Sequence, residues 1–326
     1  MANSAPISRP YRIGFLLIDG FALMSYASAV EPLRAANLLS DRVLYDVFHL
    51  AENDVSSPSS GGAKIPATMP LDARHRLDCV FVVAGGDPAA FHNPRVARWL
   101  RRMDARGTLM GGISGGPVIL ALAGMMEGRR MTVHWEHAGA LAEISPSLMV
   151  ERTLYVRDRD RLTCAGGIAP LDMMHAFITE HHGGDFARSI SDWFMHTDIR
   201  PSGGPQRAGL AERHGVTSFP LIVAIEAMEN HIADPLELGQ LAVLVGLSKR
   251  QLNRLCSQKL GAPTMAFYRN LRLDKARSLL RQSPLSITEI SLATGFGSSA
   301  HLSDRFRQRY GVAPSSVRKE KRLERR

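Results

Sequence analysis

The chain contains the stretch Leu241-Ala-Val-Leu-Val-Gly-Leu-Ser248, and 49 residues later it contains the similar stretch Ile290-Ser-Leu-Ala-Thr-Gly-Phe-Gly297. Beyond this point the offset becomes 50 residues for the pairs Leu252 and Leu302, Cys256 and Phe306, and Gly261 and Gly311. Each copy predicts a helix, a turn that contains glycine, and a second helix, which is the helix-turn-helix layout. One such pattern is a weak signal. Two in register predict a helical domain with two units, joined by a helix over residues 264–282.

The second helix of each copy has a predicted start and a predicted outer face. Ser248 opens Ser-Lys-Arg-Gln251, a capping-box pattern that begins a helix, and Ser298 is the equivalent cap. With Leu252 and Leu302 turned inward, the opposite face near the helix start is where a recognition helix presents side chains to DNA bases. The residues predicted there are Arg250, Gln251, Asn253 and Arg254 in the first copy, and Ser299, Ala300, His301, Arg305 and Arg307 in the second.

The charge of the chain is divided unevenly. Residues 1–206 carry 20 Lys and Arg against 21 Asp and Glu, whereas residues 207–326 carry 20 against 10. The formal net charge of +9 therefore comes from the second part, which indicates a polyanionic partner such as double-stranded DNA. The last nine residues, Arg-Lys-Glu-Lys-Arg-Leu-Glu-Arg-Arg, contribute +4 of this excess and could instead be a solvated tail.

The first part of the chain alternates apolar runs with helical patterns. The runs predicted as strands are 12–18, 45–51, 79–84, 109–113 and 161–165, and the predicted helices are 22–39, 94–106, 117–123 and one from about 170. This alternation predicts an α/β fold with a doubly wound parallel sheet and helices on both faces. The Pro- and Gly-rich stretch 200–207 breaks the pattern. We therefore expect an α/β domain over residues 1–199, a linker over 200–218 and an all-α domain over 219–326.

Composition and cysteine spacing exclude several classes. The 326 residues are 45% hydrophobic and 22% charged, and no apolar run approaches the roughly 20 residues of a membrane span. Residues 1–10 lack the apolar core of a secretion signal, so we expect a cytoplasmic protein with no membrane partner. Cys79, Cys164 and Cys256 form no CxxC pair, and His181-His182 has no carboxylate or thiol at ligand spacing. We expect no disulfide framework, no metal site and no cofactor.

The stretch Gly112-Ile-Ser-Gly-Gly116 matches the G-x-S-x-G pattern of the serine hydrolase nucleophile elbow. The predicted strand before it and the predicted helix after it fit that context. A serine nucleophile also needs an adjacent base. Spacing singles out no base or acid among the candidates His134, His137, His175 and Asp172. A hydrolase that uses Ser114 and is fused to a DNA-binding domain therefore stays as an alternative function.

The same elbow can bind a ligand without chemistry. It aims the serine hydroxyl and the backbone N–H groups of the two following glycines into a crevice at the strand ends, where a helix start favours a carboxylate. A nearby aromatic ring can cover a cationic nitrogen through a cation–π contact. Trp135 could equally pack in the core, and His134 could be a satisfied structural histidine. The ligand-binding residues predicted on this basis are Ser114, Gly115, Gly116, Gly86, His134, Trp135 and Tyr26.

Residues 220–318 resemble the DNA-binding domain of the AraC/XylS family of transcription regulators. The segments Ile287–Phe296, Ser298–Phe306 and Tyr310–Arg318 carry that family's signature. Ser291 stands where the family usually has alanine, which is a mild departure. The resemblance implies that two recognition helices enter successive major grooves on one face of promoter DNA.

Segments of the first part resemble the DJ-1/PfpI family, which has a class I glutamine amidotransferase-like fold. These segments are Ile113-Ser-Gly-Gly-Pro117, Leu120–Arg129 and Thr132–Trp135. In that fold the elbow normally holds a cysteine nucleophile, whereas this chain has Ser114. The acidic residue that supports the cysteine falls near Ser25. The resemblance therefore implies a domain that has lost its catalytic groups and senses a ligand.

Both parts together resemble the GlxA-type regulators over nearly the whole chain. The stretch Ala27–Asn37 is similar to a subgroup that senses amino acids and quaternary amines, which adds Glu31 to the predicted ligand residues. The resemblance implies a transcription activator that forms a homodimer, binds a small nitrogenous effector and works with RNA polymerase. A purely architectural DNA binder, whose first domain only dimerises, is a third function that the residues leave open.

Overall fold

The computed structural model describes residues 9–71 and 76–323, which form two compact units. The first unit ends at Gln206 and the second begins at Arg207. Within the described residues, no helix combines the length and the apolar composition that crossing a membrane requires. Cys79, Cys164 and Cys256 are buried free thiols, so they contribute to packing rather than to a crosslink.

The described residues of the first unit form ten strands. They are β1 (Tyr11–Leu17), β2 (Tyr45–Ala51), β3 (Ser56–Pro58), β4 (Lys64–Pro66), β5 (Cys79–Ala84), β6 (Leu109–Ser114), β7 (Arg130–Thr132), β8 (Met149–Glu151), β9 (Tyr155–Asp158) and β10 (Arg161–Cys164). Six form a central sheet in the order β2-β1-β5-β6-β10-β9, in which all neighbours are parallel except β10 and β9. The five strands predicted from apolar runs are the parallel members of this sheet. The short strands pair separately, β3 with β4 and β7 with β8.

Helices cover both faces of the sheet. They are α1 (Leu23–Leu39), α2 (Pro94–Ala105), α3 (Gly116–Leu122), α4 (Trp135–Ile144), α5 (Ala169–His182) and α6 (Gly184–Trp193). Successive side chains of a strand point to opposite faces. Phe15 and Leu17 of β1 therefore pack in one core with α1, α5 and α6, whereas Leu16 packs in the other with Trp99 of α2 and Val118 of α3. The predicted doubly wound α/β architecture is confirmed.

The last residues of the first unit are fastened to it. Asp172 of α5 is fully buried and accepts hydrogen bonds from the backbone N–H of Arg200 at 2.9 Å and from its Nη2 at 2.6 Å. Gln206 Nε2 donates to Thr132 Oγ1 at 2.9 Å. Residues 200–206, which the sequence predicts as the start of a linker, are therefore anchored parts of this unit.

The second unit contains only helices among its described residues. They are α7 (Leu210–His214), α8 (Phe219–Asn230), α9 (Leu238–Leu244), α10 (Lys249–Leu260), α11 (Thr264–Gln282), α12 (Ile287–Ala293), α13 (Ser299–Tyr310) and α14 (Pro314–Leu323). Helix α7 lies within the stretch predicted as a linker, and its Arg213 forms an ion pair with Glu229 of α8, Nη1 to Oε1, at 3.1 Å. The part of the predicted linker that follows Gln206 therefore belongs to the second unit and contains a helix.

The two predicted helix-turn-helix units are present and have matching lengths. Helices α9 and α12 each have 7 residues, and α10 and α13 each have 12. Gly246 and Gly295 form the turns, both at φ +68°, and Gly261 and Gly311 end the second helices at φ +71° and +74°. Glycine adopts this left-handed conformation without the steric cost of a side chain, so it ends each helix at a defined residue. Helix α11 has the predicted bounds.

Candidate functional site

Ser114 stands at the carboxyl end of β6 in a backbone conformation that L side chains rarely adopt, with φ +60°. Glycines make the sharp turn around it possible. A Cβ at Gly116 would lie 1.9 Å from Val82 O, and a Cβ at Gly112 would lie 2.6 Å from Pro117 N. The Gly-x-Ser-x-Gly stretch therefore forms an elbow that holds Ser114 at the strand ends.

The backbone amide that follows Ser114 is already used. Gly115 N donates to Ala84 O at 3.0 Å. The expectation that this N–H faces the crevice is wrong, because the parallel pairing of Ala84 with Ser114 directs it into the sheet. In hydrolases with such an elbow, the same amide helps to form the oxyanion hole. This elbow does not offer that donor to a substrate.

Ser25 of α1 and Ser114 approach the same point from two sides. Gly166 separates them at φ +91°, and a Cβ there would lie 2.7 Å from Ser114 Cβ and 2.9 Å from Ser25 Oγ. Ser25 Oγ also accepts a hydrogen bond from Gly167 N at 2.8 Å. The position where the family resemblance implies an acid is thus occupied by a hydroxyl that orders the backbone.

Two histidines and a tryptophan lie at the start of α4, beside the elbow. The backbone N of His134 donates to Ser114 O at 3.3 Å, and its ring lies 5.3 Å from the Trp135 ring and 5.8 Å from the His137 ring, centroid to centroid. Trp135 is 44% exposed, so it is not a core residue. His134 Nδ1 accepts the N–H of Glu136 at 3.4 Å and so also caps the helix.

His137 is a site residue that the predicted ligand set does not include. It is buried, and its Nδ1 has no hydrogen-bond partner among the described residues. Burial lowers its pKa to about 4, His134 adds to this effect and Asp87 opposes it. The imidazole is therefore neutral at physiological pH. The sequence indicates His137 only as a candidate base for Ser114; its position three residues after His134, the N-cap of α4, is the signal that places it at the same site. The group that we call the elbow crevice comprises Ser25, Asp87, Ser114, His134, Trp135 and His137.

Some predicted ligand residues lie elsewhere in the fold. The Tyr26 side chain is buried, its hydroxyl is 2.7 Å from His49 Nε2, and its ring packs edge-on against Phe15 and Phe21. Such a ring cannot cover a ligand. Glu31 forms an ion pair with Arg34, Oε2 to Nη2, at 2.7 Å, and no contact among the described residues joins it to the crevice.

Two further predictions for the elbow crevice are a role for Gly86 in ligand binding and the absence of a metal site. Gly86 directly precedes Asp87 and adopts φ +61°, in the turn after β5. It thus shapes the backbone at the rim of the elbow crevice. No group of three or more potential metal ligands occurs among the described residues.

Helix α10, the first predicted recognition helix, has an exposed basic face. Arg250 and Arg254 are exposed, and neither forms an ion pair among the described residues. Gln251 Oε1 accepts the backbone N–H of Ser248 at 2.9 Å, so part of this amide completes the predicted capping box. Asn253 is half-buried and points toward α11 rather than only outward. The two arginines are thus the principal basic groups of this face.

Helix α13, the second predicted recognition helix, has a different outer face. Ser298 caps it, Ala300 and His301 are exposed near its start, and Ser299 is half-buried. Further along, the face combines exposed basic and acidic side chains: Arg305, which donates to Gln308, and Arg307, whose Nη1 lies 3.9 Å from Asp304 Oδ1. At an offset of 50, Asp304 stands where α10 has Arg254. The two helices therefore present opposite charges at this one equivalent position.

Two family models match the chain. The DJ-1/PfpI family matches residues 11–180, and a helix-turn-helix domain matches residues 241–320. The first match covers the central sheet with the elbow, and the second covers both α10 and α13.

Curated relatives share the whole arrangement. The HTH-type transcriptional regulator GlxA of Rhizobium meliloti (strain 1021) is 45% identical over 98% of this chain and 99% of its own length. The HTH-type transcriptional regulator CdhR of Pseudomonas aeruginosa is 40% identical over 93% of this chain and 90% of its own. Among solved structures, an AraC family transcriptional regulator from Pseudomonas putida has a TM-score of 0.52 at 26% identity, and the match covers 57% of this chain and 100% of that one.

Proposed function

Because the chain belongs to the GlxA-type HTH transcriptional regulators, which join a DJ-1/PfpI domain to an AraC-type helix-turn-helix domain, we propose that it binds promoter DNA in response to a small nitrogenous metabolite. The chain is a regulator and not an enzyme. The proposal assigns DNA binding to α10 and α13 and effector binding to the elbow crevice.

The observation that carries DNA binding is the pair of matched, serine-capped helices α10 and α13 in the basic part of the chain. Two such helices on one face of DNA fit half-sites about 10 base pairs apart, centre to centre. Exposed arginines at the start of α10 suit guanine edges in the major groove. The second helix, with short side chains at its start, adds affinity that depends less on sequence.

The chemistry of the elbow crevice supports an effector with a carboxylate and a positively charged nitrogen. The Ser114 hydroxyl and the neutral His137 imidazole can both donate to a carboxylate, and the buried Nδ1 of His137 gains the partner that it lacks within the described chain. The Trp135 ring is 44% exposed and can cover a cationic nitrogen, and the negative charge of Asp87, which also acts on His137, favours a cation at this site. An amino acid or a quaternary amine has this combination of groups.

Three further parts of the proposal rest on the family resemblance. The regulator forms a homodimer through its first domain, acts in the cytoplasm and activates transcription by contact with RNA polymerase. The hydrolase alternative loses support from the elbow itself, because the amide that would stabilise an oxyanion donates to Ala84 O instead.

The test is a thermal-shift screen of the full chain against amino acids, quaternary amines, neutral polyols and sugar phosphates. A true effector at a hundredfold excess over its Kd stabilises the protein by about 2.7 kcal/mol. We expect zwitterionic or quaternary amines to raise the melting temperature and to change the affinity for a selected operator. Stabilisation by neutral or phosphorylated compounds alone would contradict the proposed effector class, and a failure to select any DNA motif would contradict promoter binding.

A further inference from the structure

Helix α11 does more than connect the two helix-turn-helix units. Tyr268 and Arg272 are four residues apart on it, so they lie on the same face, one turn from each other. Tyr268 is fully buried, and Arg272 is partly buried. Each of the two side chains binds backbone atoms of a different helix-turn-helix unit.

Arg272 holds the turn of the second unit. Its Nε donates to Thr294 O at 2.8 Å, and its Nη2 donates to Gly295 O. The guanidinium also lies over the Phe296 ring, 4.4 Å from its centroid. Three of the four residues between α12 and Ser298, the cap of α13, are thus bound by one planar side chain. The carbonyls of the first two residues after α12 receive donors that the helix itself does not supply.

Tyr268 holds the segment that leads into the first unit. Its hydroxyl donates to His231 O at 2.5 Å and accepts the backbone N–H of Leu236 at 3.3 Å. This segment, residues 231–236, runs from the end of α8 to the start of α9. One face of α11 therefore binds both the segment that precedes the first helix-turn-helix unit and the turn within the second helix-turn-helix unit.

The segment 231–236 and the turn at Gly295, both bound by α11, also contact each other. A Cβ at Gly295 would lie 2.7 Å from Ile232 O and 2.8 Å from Pro235 Cδ, so the second turn approaches this segment closely enough to require glycine. At the equivalent turn of the first unit, a Cβ at Gly246 would meet no atom within 4 Å. The second turn therefore packs closely against this segment at its glycine, whereas the space beside Gly246 is open.

We infer that Arg272 is a positioning residue for DNA recognition: by clamping the Thr294–Phe296 turn to α11, it sets the separation of the two recognition helices and hence the spacing of the half-sites that the protein accepts. The inference rests on the proposed function, because it assumes that α10 and α13 enter DNA together. Arg272 itself needs no contact with DNA for this role.

The test uses a motif first selected with the wild-type full chain. Binding is measured to DNA with both half-sites at the selected spacing, with one and with five inserted base pairs, and to DNA with the first half-site alone. Arg272→Lys keeps the positive charge but loses the planar pair of donors and the stacked guanidinium. Arg281→Lys is the matched control, since Arg281 is exposed on the same helix.

We expect Arg272→Lys to bind the single half-site within about twofold of wild type but to lose roughly tenfold on the intact two-site DNA, which corresponds to about 1.4 kcal/mol. The loss of affinity caused by one inserted base pair should be smaller in Arg272→Lys than in wild type, because a second helix-turn-helix unit that is less firmly held tolerates a shifted half-site. Arg281→Lys should keep the wild-type spacing profile.

An unchanged spacing profile in Arg272→Lys would overturn the inference, as would an equal loss on single-site and two-site DNA, which would mark a purely structural role. If Arg272→Lys does not fold, as judged by circular dichroism, Phe296→Leu removes the ring beneath the guanidinium and enters the same test. If the wild type itself gains nothing from the second half-site, the proposed two-helix DNA binding fails, and the failure does not concern Arg272.

Discussion

Asn253 Oδ1 accepts the backbone N–H of Thr264 at 3.1 Å, which joins α10 to the start of α11. This bond caps a helix whose own N-cap, Pro263, makes no side-chain hydrogen bond. Asn253→Ala should therefore lower the free energy of unfolding by about 1 kcal/mol and leave the selected DNA motif unchanged. Urea unfolding and binding-site selection measure the two effects. Asn253→Asp keeps the acceptor and serves as the control; a changed motif in Asn253→Ala would contradict the structural role.

Arg254 and Arg307 should differ in what they contribute to DNA binding. Arg254 is an exposed residue on the basic face of α10, so Arg254→Ala should cost about 1–3 kcal/mol and relax the preference at one or two base pairs. Arg307 lies beyond the first turns of α13 and is suited to a phosphate contact. Arg307→Ala should weaken binding to all sequences alike and reduce the slope of log K against log salt by about one.

Binding-site selection with both variants over a salt series separates these roles. Arg102→Ala is the control, because Arg102 is an exposed arginine in the last turn of α2 and thus lies outside the helical domain that is proposed to bind DNA. The assignment is refuted if Arg254→Ala selects the wild-type motif while Arg307→Ala selects a different one.

Trp135 should contribute to effector affinity through its ring. Trp135→Ala should weaken effector binding by about 0.5–2 kcal/mol, because the ring face attracts a cationic nitrogen. Trp193, which is 51% exposed at the end of α6, provides the matched control as Trp193→Ala. Isothermal titration calorimetry compares the two variants with wild type, and an equal loss of affinity in both would speak against a ring contact at Trp135.

Ser114 should act as a ligand contact and not as a nucleophile. Ser114→Ala should retain folding and effector-free DNA binding, since alanine is smaller than serine and bears a similar backbone strain at φ +60°, while the DNA response to the effector changes. A fluorophosphonate probe should not label wild-type Ser114, because the Gly115 amide that would support an oxyanion donates to Ala84 O. Labelling that disappears in Ser114→Ala, together with loss of an ester or amide turnover, would show that the elbow is catalytic.

His137 should make the protein less stable as the pH falls. Its pKa is about 4 in the folded chain, against about 6.5 for an ordinary histidine, so the unfolded chain binds a proton first as the pH drops. Its contribution to stability is present above pH 6.5 and is lost between pH 6.5 and pH 4, with a slope of up to ~1.4 kcal/mol per pH unit.

Replacement of His137 by leucine should reduce this slope, whereas His92→Leu, at an exposed position, should not. Urea unfolding of the wild type and both variants at several pH values between 4 and 8 gives the slopes. The same pH dependence in His137→Leu and wild type would exclude His137 as its source.

The central sheet and the duplicated helices could be predicted because their signals are long and periodic. The predicted strand at residues 79–84 is a continuous apolar run, and α11 starts and ends at the residues predicted for it. The paired strands β7 and β8 have three residues each, too few to show a period of two. Helix α7 has only five residues and lies between two glycines, so its sequence is typical of a loop and does not predict a helix.

Site residues were harder to predict, because a pattern gives the direction of a side chain but not its partner. Asn253 follows the outward spacing of α10 and yet turns its carbonyl to Thr264. The amide of Gly115 follows the elbow pattern and yet continues the pairing of the sheet. Tyr26 was expected at a ligand, and the core aromatic residues surround it instead. These outcomes depend on tertiary neighbours that no local spacing encodes.

The start and the end of α10 and α13 are set by capping residues, which differ from the residues proposed to contact DNA bases. They are Ser248 and Gly261 for α10 and Ser298 and Gly311 for α13. Side chains between them, such as Arg254 and Asp304, are exposed, and surface substitutions usually change stability by less than ~0.5 kcal/mol. Substitutions on these exposed faces can therefore change the target sequence of a duplicated motif while each successive variant stays folded. The two copies are thus free to diverge, and the outer face of one helix can be grafted onto the other in an engineered regulator.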